Sequence, residues 1–184
     1  MFTLDAVTLR PLELSDLETA YAWHCDLDLD LITGWGRRQS LTAFQQRFAA
    51  LVTTPPEEHR FFGIDIDGRL IGRVDLASIN LAHRQATLGY FLGAKDAWGK
   101  GYAKAAVLIA LDYAFSVENL DRVFAHVFDF NTRSMGLLKR LGFTAEGILR
   151  QHELHNGARH DIHVFGLLKP EFYAAHTTLF TIPI

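Results

Sequence analysis

The sequence is poor in the features that mark secreted and membrane proteins. Its only cysteine is Cys25, which excludes an internal disulfide bond and fits a reducing compartment. No stretch of about 18 consecutive apolar residues is present to form a transmembrane helix. The first residues also lack the basic and then apolar build of a signal peptide. We therefore expect a cytoplasmic protein with no membrane partner.

An excess of positive charge is also missing. The chain carries 18 Lys and Arg residues against 21 Asp and Glu residues, a formal net charge of -3. Because nucleic-acid-binding domains carry a basic surface, this balance argues against a nucleic-acid partner. The 184 residues are 49% hydrophobic and contain no repeat or long linker. We expect a single domain over residues 1–184 with a sizeable core.

Two dipeptides that end in glycine predict β-hairpins. Asp67-Gly68 and Asn156-Gly157 are each flanked by apolar runs, and such pairs favour the tight turns that join antiparallel strands. The flanking strands are expected at Phe61–Ile66 with Leu70–Ile79, and at Ile148–His155 with Arg159–Leu168. The sequence therefore predicts a mixed, mostly antiparallel sheet with about four helices, an α+β arrangement.

The first third of the chain predicts a strand and two helices separated by a loop. Val7–Leu12 has the pattern of the strand, and Ser15 with Glu18 has the spacing of a capping box that begins a helix ending near Cys25. The loop is expected from Asp26 to Arg38. The second helix has an apolar stripe made of Leu41, Phe44, Phe48 and Leu51.

The middle of the chain predicts one parallel pair of strands. Leu88–Leu92 and Arg122–Phe128 are separated by a glycine-rich turn and a helix, and the handedness of such a βαβ unit makes its strands parallel. The apolar residues of the helix recur at helical spacing, and we expect Asp112 to lie off the buried stripe.

The turn before this helix has the composition of an anion-binding loop. The first N–H groups of a helix have no partner within it and carry the positive end of its dipole. Gly99 and Gly101 leave room for a phosphate to approach these groups, and Lys100 or Lys104 would add positive charge. A tight turn with no ligand is the alternative.

Two motifs in this region resemble those of a known family. W-G-K-G-Y-A at Trp98–Ala103, followed by N-T-R-S-x-x-L-L-x-x-L-G-F at Asn131–Phe143, resembles the GNAT superfamily of acetyl-CoA-dependent N-acetyltransferases, and within it the RimJ/RimL-like branch. Trp98, Gly101 and Ala103 fall on the positions of the family's pyrophosphate loop. The resemblance covers nearly the whole chain.

The resemblance implies the GNAT fold, a three-layer α+β domain whose parallel strand pair splays apart to admit the pantetheine arm of acetyl-CoA. Backbone groups at Phe91 and Leu92 would bind that arm and polarise the thioester. The remaining residues expected to contact acetyl-CoA are Trp98, Gly99, Lys100, Gly101, Tyr102, Ala103, Asn131 and Ser134. No metal is expected.

The acid and base that the resemblance implies are Ser134 and Glu153. Many GNAT enzymes place a glutamate and a tyrosine where this chain has Thr87 and Leu138. RimL-like enzymes instead use the serine of the N-x-x-S turn to protonate the thiolate and a later glutamate as general base, which fall on Ser134 and Glu153. The alternatives are that Ser134 caps a helix and that Glu153 is a solvated charge.

The amine acceptor is less well defined. The segment Ser15 to Val52 is expected to shape its site, and the acids of Asp26–Asp30 either attract a cationic amine or are solvated. Other candidate acceptor residues there are Trp23, Trp35, Arg37 and Arg38. The favoured acceptor is a protein N-terminal amine; a small amine such as a polyamine, and a non-catalytic acyl-CoA-binding protein, are the alternatives.

Three further features of the sequence have alternative interpretations. His152, His155, His160 and His163 surround one predicted turn, but a zinc site is disfavoured because residues three apart on a strand point to opposite faces. We expect Cys25 to be a buried structural thiol. The apolar segment Phe172 to Ile184 is expected to pack on the sheet or on a second subunit, so that a homodimer is left open.

Overall fold

A computed structural model describes residues 1–33 and 39–180 of the chain. Within these residues, eight strands form one sheet in the order β1-β2-β3-β4-β5-β6-β8-β7. The strands are β1 Phe2–Leu4, β2 Val7–Arg10, β3 Arg60–Ile66, β4 Arg69–Asn80, β5 Gln85–Leu92, β6 Arg122–Phe128, β7 Thr144–His155 and β8 Ala158–Leu168. None of the described helices is long and apolar enough to span a membrane.

The described residues form six α-helices, two more than the sequence predicts. They are α1 Leu17–His24, α2 Leu27–Thr33, α3 Leu41–Thr53, α4 Tyr102–Asp112, α5 Thr132–Arg140 and α6 Lys169–Ala175. The additional helices are short: α2 lies where a loop was expected and α6 follows β8. The predicted Trp35, Arg37, Arg38, Ile182 and Ile184 lie outside the described residues.

Both predicted hairpins are confirmed. Asp67 and Gly68 join β3 to β4 with φ of 51° and 80°, and Asn156 and Gly157 join β7 to β8 with φ of 49° and 80°. A two-residue turn that matches the twist of the flanking strands requires positive φ at both of its central residues. Asp, Asn and Gly are the residues that adopt positive φ most readily.

The predicted parallel pair is also present, with hydrogen bonding confined to one end. β5 pairs with β6 through Gln85, Ala86 and Thr87 only, although β5 continues to Leu92. Every other strand pair in the sheet is antiparallel. The predicted segment Leu88–Leu92 is therefore the part of β5 that has diverged from β6, which leaves a gap in the sheet at the carboxyl end of both strands.

Apolar side chains pack on both faces of the sheet. Adjacent residues Leu70 and Ile71 of β4 join different clusters, as expected when successive side chains of a strand point to opposite faces. The larger cluster packs α4 against the sheet, and the smaller one joins Phe44 and Phe48 of α3 to Leu70. The sheet thus lies between two helical layers, which is the expected α+β architecture.

Three local expectations were wrong. Ser15 does not cap α1: the N-cap is Asp16, whose side chain makes no capping bond to α1 and instead accepts the Glu13 N–H at 2.9 Å and two hydrogen bonds from Arg10. Cys25 is exposed because it follows the last turn of α1. Asp112 is fully buried rather than off the buried stripe, since α4 is covered on more than one side.

Candidate active site

A cleft of about 960 Å³ lies where β5 and β6 diverge. Its walls are the free end of β5, the beginnings of α4 and α5, and the apolar face of α2. Nine of the ten residues predicted to contact acetyl-CoA line it: Phe91, Leu92, Trp98, Gly99, Gly101, Tyr102, Ala103, Asn131 and Ser134. The tenth, Lys100, is exposed and does not line the cleft.

The glycine loop at the start of α4 is held in an open conformation. Gly99 and Gly101 have φ of 77° and 84°, and a Cβ at either position would meet nothing within 4 Å. Gly101 is the N-cap of α4 and accepts the N–H groups of Lys104 and Ala105. Trp98 donates its indole N–H to the Leu92 carbonyl at 2.9 Å, which ties the loop to the end of β5. The helix N-terminus therefore opens onto the cleft, as an anion site requires.

Three basic side chains of α4 and α5 line the same cleft, namely Lys104, Arg133 and Arg140, in addition to Arg73 of β4. The Arg133 guanidinium lies 5.6 Å from the centre of the Trp98 ring, a cation–π distance. Sequence reasoning found Lys104 but missed both arginines, whose spacing of seven residues on the amphipathic α5 was an available signal. Together with the helix dipole they make this part of the cleft electropositive.

Ser134 faces the cleft and does not cap α5. The cap is Asn131, whose side-chain oxygen accepts the Ser134 N–H at 3.1 Å. The Ser134 hydroxyl instead lies 2.8 Å from the hydroxyl of Tyr90 on β5. Burial raises the pKa of Tyr90, against smaller opposite effects of Ser134 and Arg140, so Tyr90 stays protonated at neutral pH and is able to donate to Ser134.

Thr87 and Leu138 occupy the positions where the resemblance expects a glutamate and a tyrosine. Neither of them can replace the hydroxyl pair of Ser134 and Tyr90. Thr87 lies in the hydrogen-bonded part of β5, opposite Phe124, and Leu138 is fully buried in the core. A tyrosine hydroxyl is present in the cleft nonetheless, because Tyr90 occupies the divergent half of β5. Nothing in the sequence identified Tyr90, since its contact with Ser134 joins residues 44 apart.

Of the described residues that line the cleft, Asp75 of β4 is the one carboxylate. It lies opposite Gly89 of β5, where a Cβ would be 2.9 Å from its oxygen, and it accepts a hydrogen bond from Arg73 at 3.2 Å. The Asp75 side chain is 14% exposed, whereas that of Glu153 is 52% exposed. Glu153 lies on β7 beside His152 and is not among the residues lining the cleft.

A second cavity, the side cavity, adjoins the cleft. It has a volume of about 510 Å³ and lies between α1, α3 and β4. Arg73 and Phe91 line both cavities. Trp23 of α1 packs against Gly93, where any Cβ would overlap the indole ring, so glycine is required there for the helix to approach the sheet.

The acids and histidines noted in the sequence lie away from both cavities or serve as local contacts. Asp26 and Asp28 form ion pairs with Lys95. His160 contacts Asp129 at 3.0 Å, and His155 contacts the Leu31 carbonyl of α2 at 3.0 Å. Among the residues that the structure describes, no group of three or more His, Cys, Asp or Glu side chains is arranged to hold a metal ion.

Comparison with protein families identifies the family of the chain. The family described as acetyltransferase (GNAT) domain matches residues 6–144. The chain belongs to this family. It is therefore an acyltransferase, and acetyl-CoA is its acyl donor because GNAT acetyltransferases use that cosubstrate.

Relatives extend the match over nearly the whole chain. YoaA, an uncharacterized N-acetyltransferase of Bacillus subtilis strain 168, is 31% identical and aligns with 90% of this chain and 95% of its own length. The spermidine N(1)-acetyltransferase of Escherichia coli K12 is 28% identical, with 94% and 91% aligned. The crystal structure of spermidine N-acetyltransferase from Vibrio cholerae with CoA and spermine has a TM-score of 0.83 at 27% identity, covering 91% of this chain and 98% of that one. The expected GNAT fold is thereby confirmed.

Proposed function

We propose that this acetyltransferase acts on the primary amine of a small molecule, within a single domain. In this reaction the amine nitrogen forms a bond to the acetyl carbonyl carbon, the carbon–sulfur bond breaks, the amine loses a proton and the thiolate gains one. The observation that carries the proposal is the similarity to spermidine acetyltransferases along nearly the full chain, including one bound to CoA and spermine. The protein N-terminal amine of the RimJ/RimL-like interpretation is the less supported acceptor.

The cleft residues have complementary roles in this proposal. The amides at Gly99 to Ala103 bind the pyrophosphate, with charge from Lys104, Arg133 and Arg140. The pantetheine arm lies along the divergent part of β5 near Phe91 and Leu92, where a backbone N–H stabilises the thioester oxygen as negative charge develops.

Three side chains that line the cleft are assigned the proton transfers, namely Ser134, Tyr90 and Asp75. Ser134 protonates the departing thiolate, as the resemblance implies, Tyr90 replaces that proton through the hydroxyl pair, and solvent returns a proton to Tyr90. Asp75 accepts the proton of the amine, directly or through a water molecule, because it is the one carboxylate among the described residues that line the cleft. Glu153 stays a prediction of the resemblance, to be tested against Asp75.

Thiol release from acetyl-CoA tests the function directly. Purified protein is incubated with acetyl-CoA and separate small amines or peptides, and free CoA is measured. Turnover with small amines supports the proposal; turnover with peptides alone supports the protein N-terminal acceptor. CoA binding without turnover on any amine would leave the chain as a binding protein.

Substituting Gly101 tests the phosphate site. Gly101→Val is expected to weaken CoA binding by roughly tenfold or more, because the added side chain occupies the space of the phosphate and opposes the positive φ. The matched control is Gly68→Val, which has φ of 80° and equally open surroundings in the β3–β4 turn. Calorimetric titration of CoA is the measurement. Equal affinities of the two variants would place the pyrophosphate elsewhere.

A further inference from the structure

We infer that the acceptor is an amine with a single positive charge and an apolar group of about the size of an aromatic ring, and not a polyamine. The inference rests on the proposed function and specifies its acceptor. The apolar group occupies the side cavity, while the amine lies in the cleft near Asp75.

The walls of the side cavity are predominantly apolar. Four aromatic residues line it, together with three leucines: Trp23, Phe44, Phe48, Phe91, Leu12, Leu51 and Leu70. Its volume of about 510 Å³ is within the usual range for small-molecule sites. Such walls gain free energy by removing an apolar group from water, and they offer little to a chain of ammonium groups.

The charges around the side cavity oppose a polycation. None of its described lining residues is a carboxylate, whereas Arg47 and Arg73 both line it. In the adjoining cleft, the carboxylate of Asp75 already accepts a hydrogen bond from Arg73. A polyamine carries two or more positive charges, of which Asp75 can balance one, and the others would find no further carboxylate among the described residues that line either cavity.

The acids that would favour a polyamine are engaged elsewhere. Asp26 and Asp28, at the start of α2, both bind Lys95 at distances of 2.7 to 2.8 Å. They line neither cavity. The acidic segment predicted from the sequence to attract a cationic amine therefore contributes no carboxylate to the walls of either cavity.

The arrangement of the two cavities places the amine and its substituent. Arg73 and Phe91 face each other across β4 and β5 and line both cavities. Asp75 is two residues further along β4 than Arg73, so it lies on the same face of the strand. An amine held near Asp75 therefore has its substituent directed past Phe91 into the side cavity.

A comparison of amines measures the preference. 2-Phenylethylamine, phenylalanine and spermidine are each supplied with acetyl-CoA, and kcat/KM is obtained from thiol release. We expect kcat/KM for 2-phenylethylamine to exceed that for spermidine by about 10- to 100-fold, the equivalent of burying one ring-sized group. Higher activity on phenylalanine than on 2-phenylethylamine would indicate that Arg47 and Arg73 also bind the carboxylate of the substrate. Equal or higher kcat/KM for spermidine would overturn the inference.

Filling the side cavity gives an independent test. Ala50 lines the cavity on α3, and Ala50→Trp is expected to lower kcat/KM for 2-phenylethylamine by about tenfold with acetyl-CoA affinity unchanged. Ala43→Trp is the control, since Ala43 is exposed like Ala50 and lies on the same helix but does not line the cavity. Equal activity of the two variants on this amine would contradict the assignment of the cavity.

Different results would contradict the proposed function and the acceptor inference. If no amine releases CoA, the proposed function fails and the acceptor inference falls with it. If spermidine is acetylated efficiently and 2-phenylethylamine is not, the proposed function stands and only the acceptor inference is wrong.

Discussion

Replacing Asp75 by Asn is expected to lower kcat by about 10²- to 10⁴-fold, the usual contribution of a general base. Asp75 is the one carboxylate among the described residues lining the cleft, and its side chain is mostly buried. The amide cannot accept the proton of the attacking amine. Affinity for acetyl-CoA should change little, because Asp75 faces the acceptor side through its contacts with Gly89 and Arg73.

The pH dependence of kcat distinguishes the loss of the general base from the loss of the folded structure. Without Asp75, the reaction depends on amine that is already neutral, so kcat of Asp75→Asn is expected to rise with pH towards the pKa of the amine. A variant that had merely lost its structure would stay inactive at every pH. Thermal unfolding of Asp75→Asn, with and without CoA, provides the control for folding.

The matched variant is Glu153→Gln, which tests the assignment made from the resemblance. Glu153 is exposed on β7 and absent from the cleft lining, so we expect its kcat to remain within about threefold of the original, well short of the loss of a general base. A large loss in Glu153→Gln, with activity retained in Asp75→Asn, would reverse the two roles.

Local sequence signals predicted the parts of the fold that depend on a few adjacent residues. Asp67-Gly68 and Asn156-Gly157 specify their turns because positive φ is required at both positions of each turn. Gly99 and Gly101 likewise indicated the open loop at the start of α4. These features need no knowledge of what packs against them.

The residues that sequence reasoning missed depend on contacts between distant segments. Tyr90 meets Ser134 because β5 diverges from β6 beside α5, and Asp75 enters the cleft because it pairs with Gly89. Neither the divergence of the two strands nor the register between β4 and β5 is encoded in any short window of the sequence. The short helix α2 was also missed, since three aspartates in eight residues are typical of a loop.

Asp112, in the core, is another residue whose contacts with distant segments could not be predicted from the local sequence. Its replacement has the largest expected effect on stability. It ends α4 and is fully buried. Its carboxylate accepts hydrogen bonds from Ser116 at 2.8 Å, Tyr173 at 3.0 Å and Thr178 at 3.0 Å, and also from the Leu179 N–H. The helix pattern treated Asp112 as a surface residue because these donors come mostly from the end of the chain.

These hydrogen bonds fix the C-terminal segment over the core. Phe180, which directly follows Leu179, packs against Phe2 of β1 with ring centres 4.8 Å apart. Burial is the main cause of a raised pKa for Tyr173, and Asp112 contributes in the same direction, so its hydroxyl remains a donor at neutral pH. Asp112 therefore links α4, α6 and the last described residues, and through Phe180 the first strand.

Asp112→Ala is expected to lower the free energy of unfolding by about 2–4 kcal/mol, because three hydroxyls and a backbone N–H lose the buried, charged carboxylate that accepts their hydrogen bonds. For a domain of this size the corresponding fall in Tm is roughly 5–15 °C. Asp121→Ala is the control: that carboxylate is 56% exposed and pairs with Arg84 at the surface, so the expected loss is below about 1 kcal/mol. Thermal and urea unfolding measure both. If Asp112→Ala were no less stable than Asp121→Ala, the C-terminal segment would be held by its apolar contacts alone.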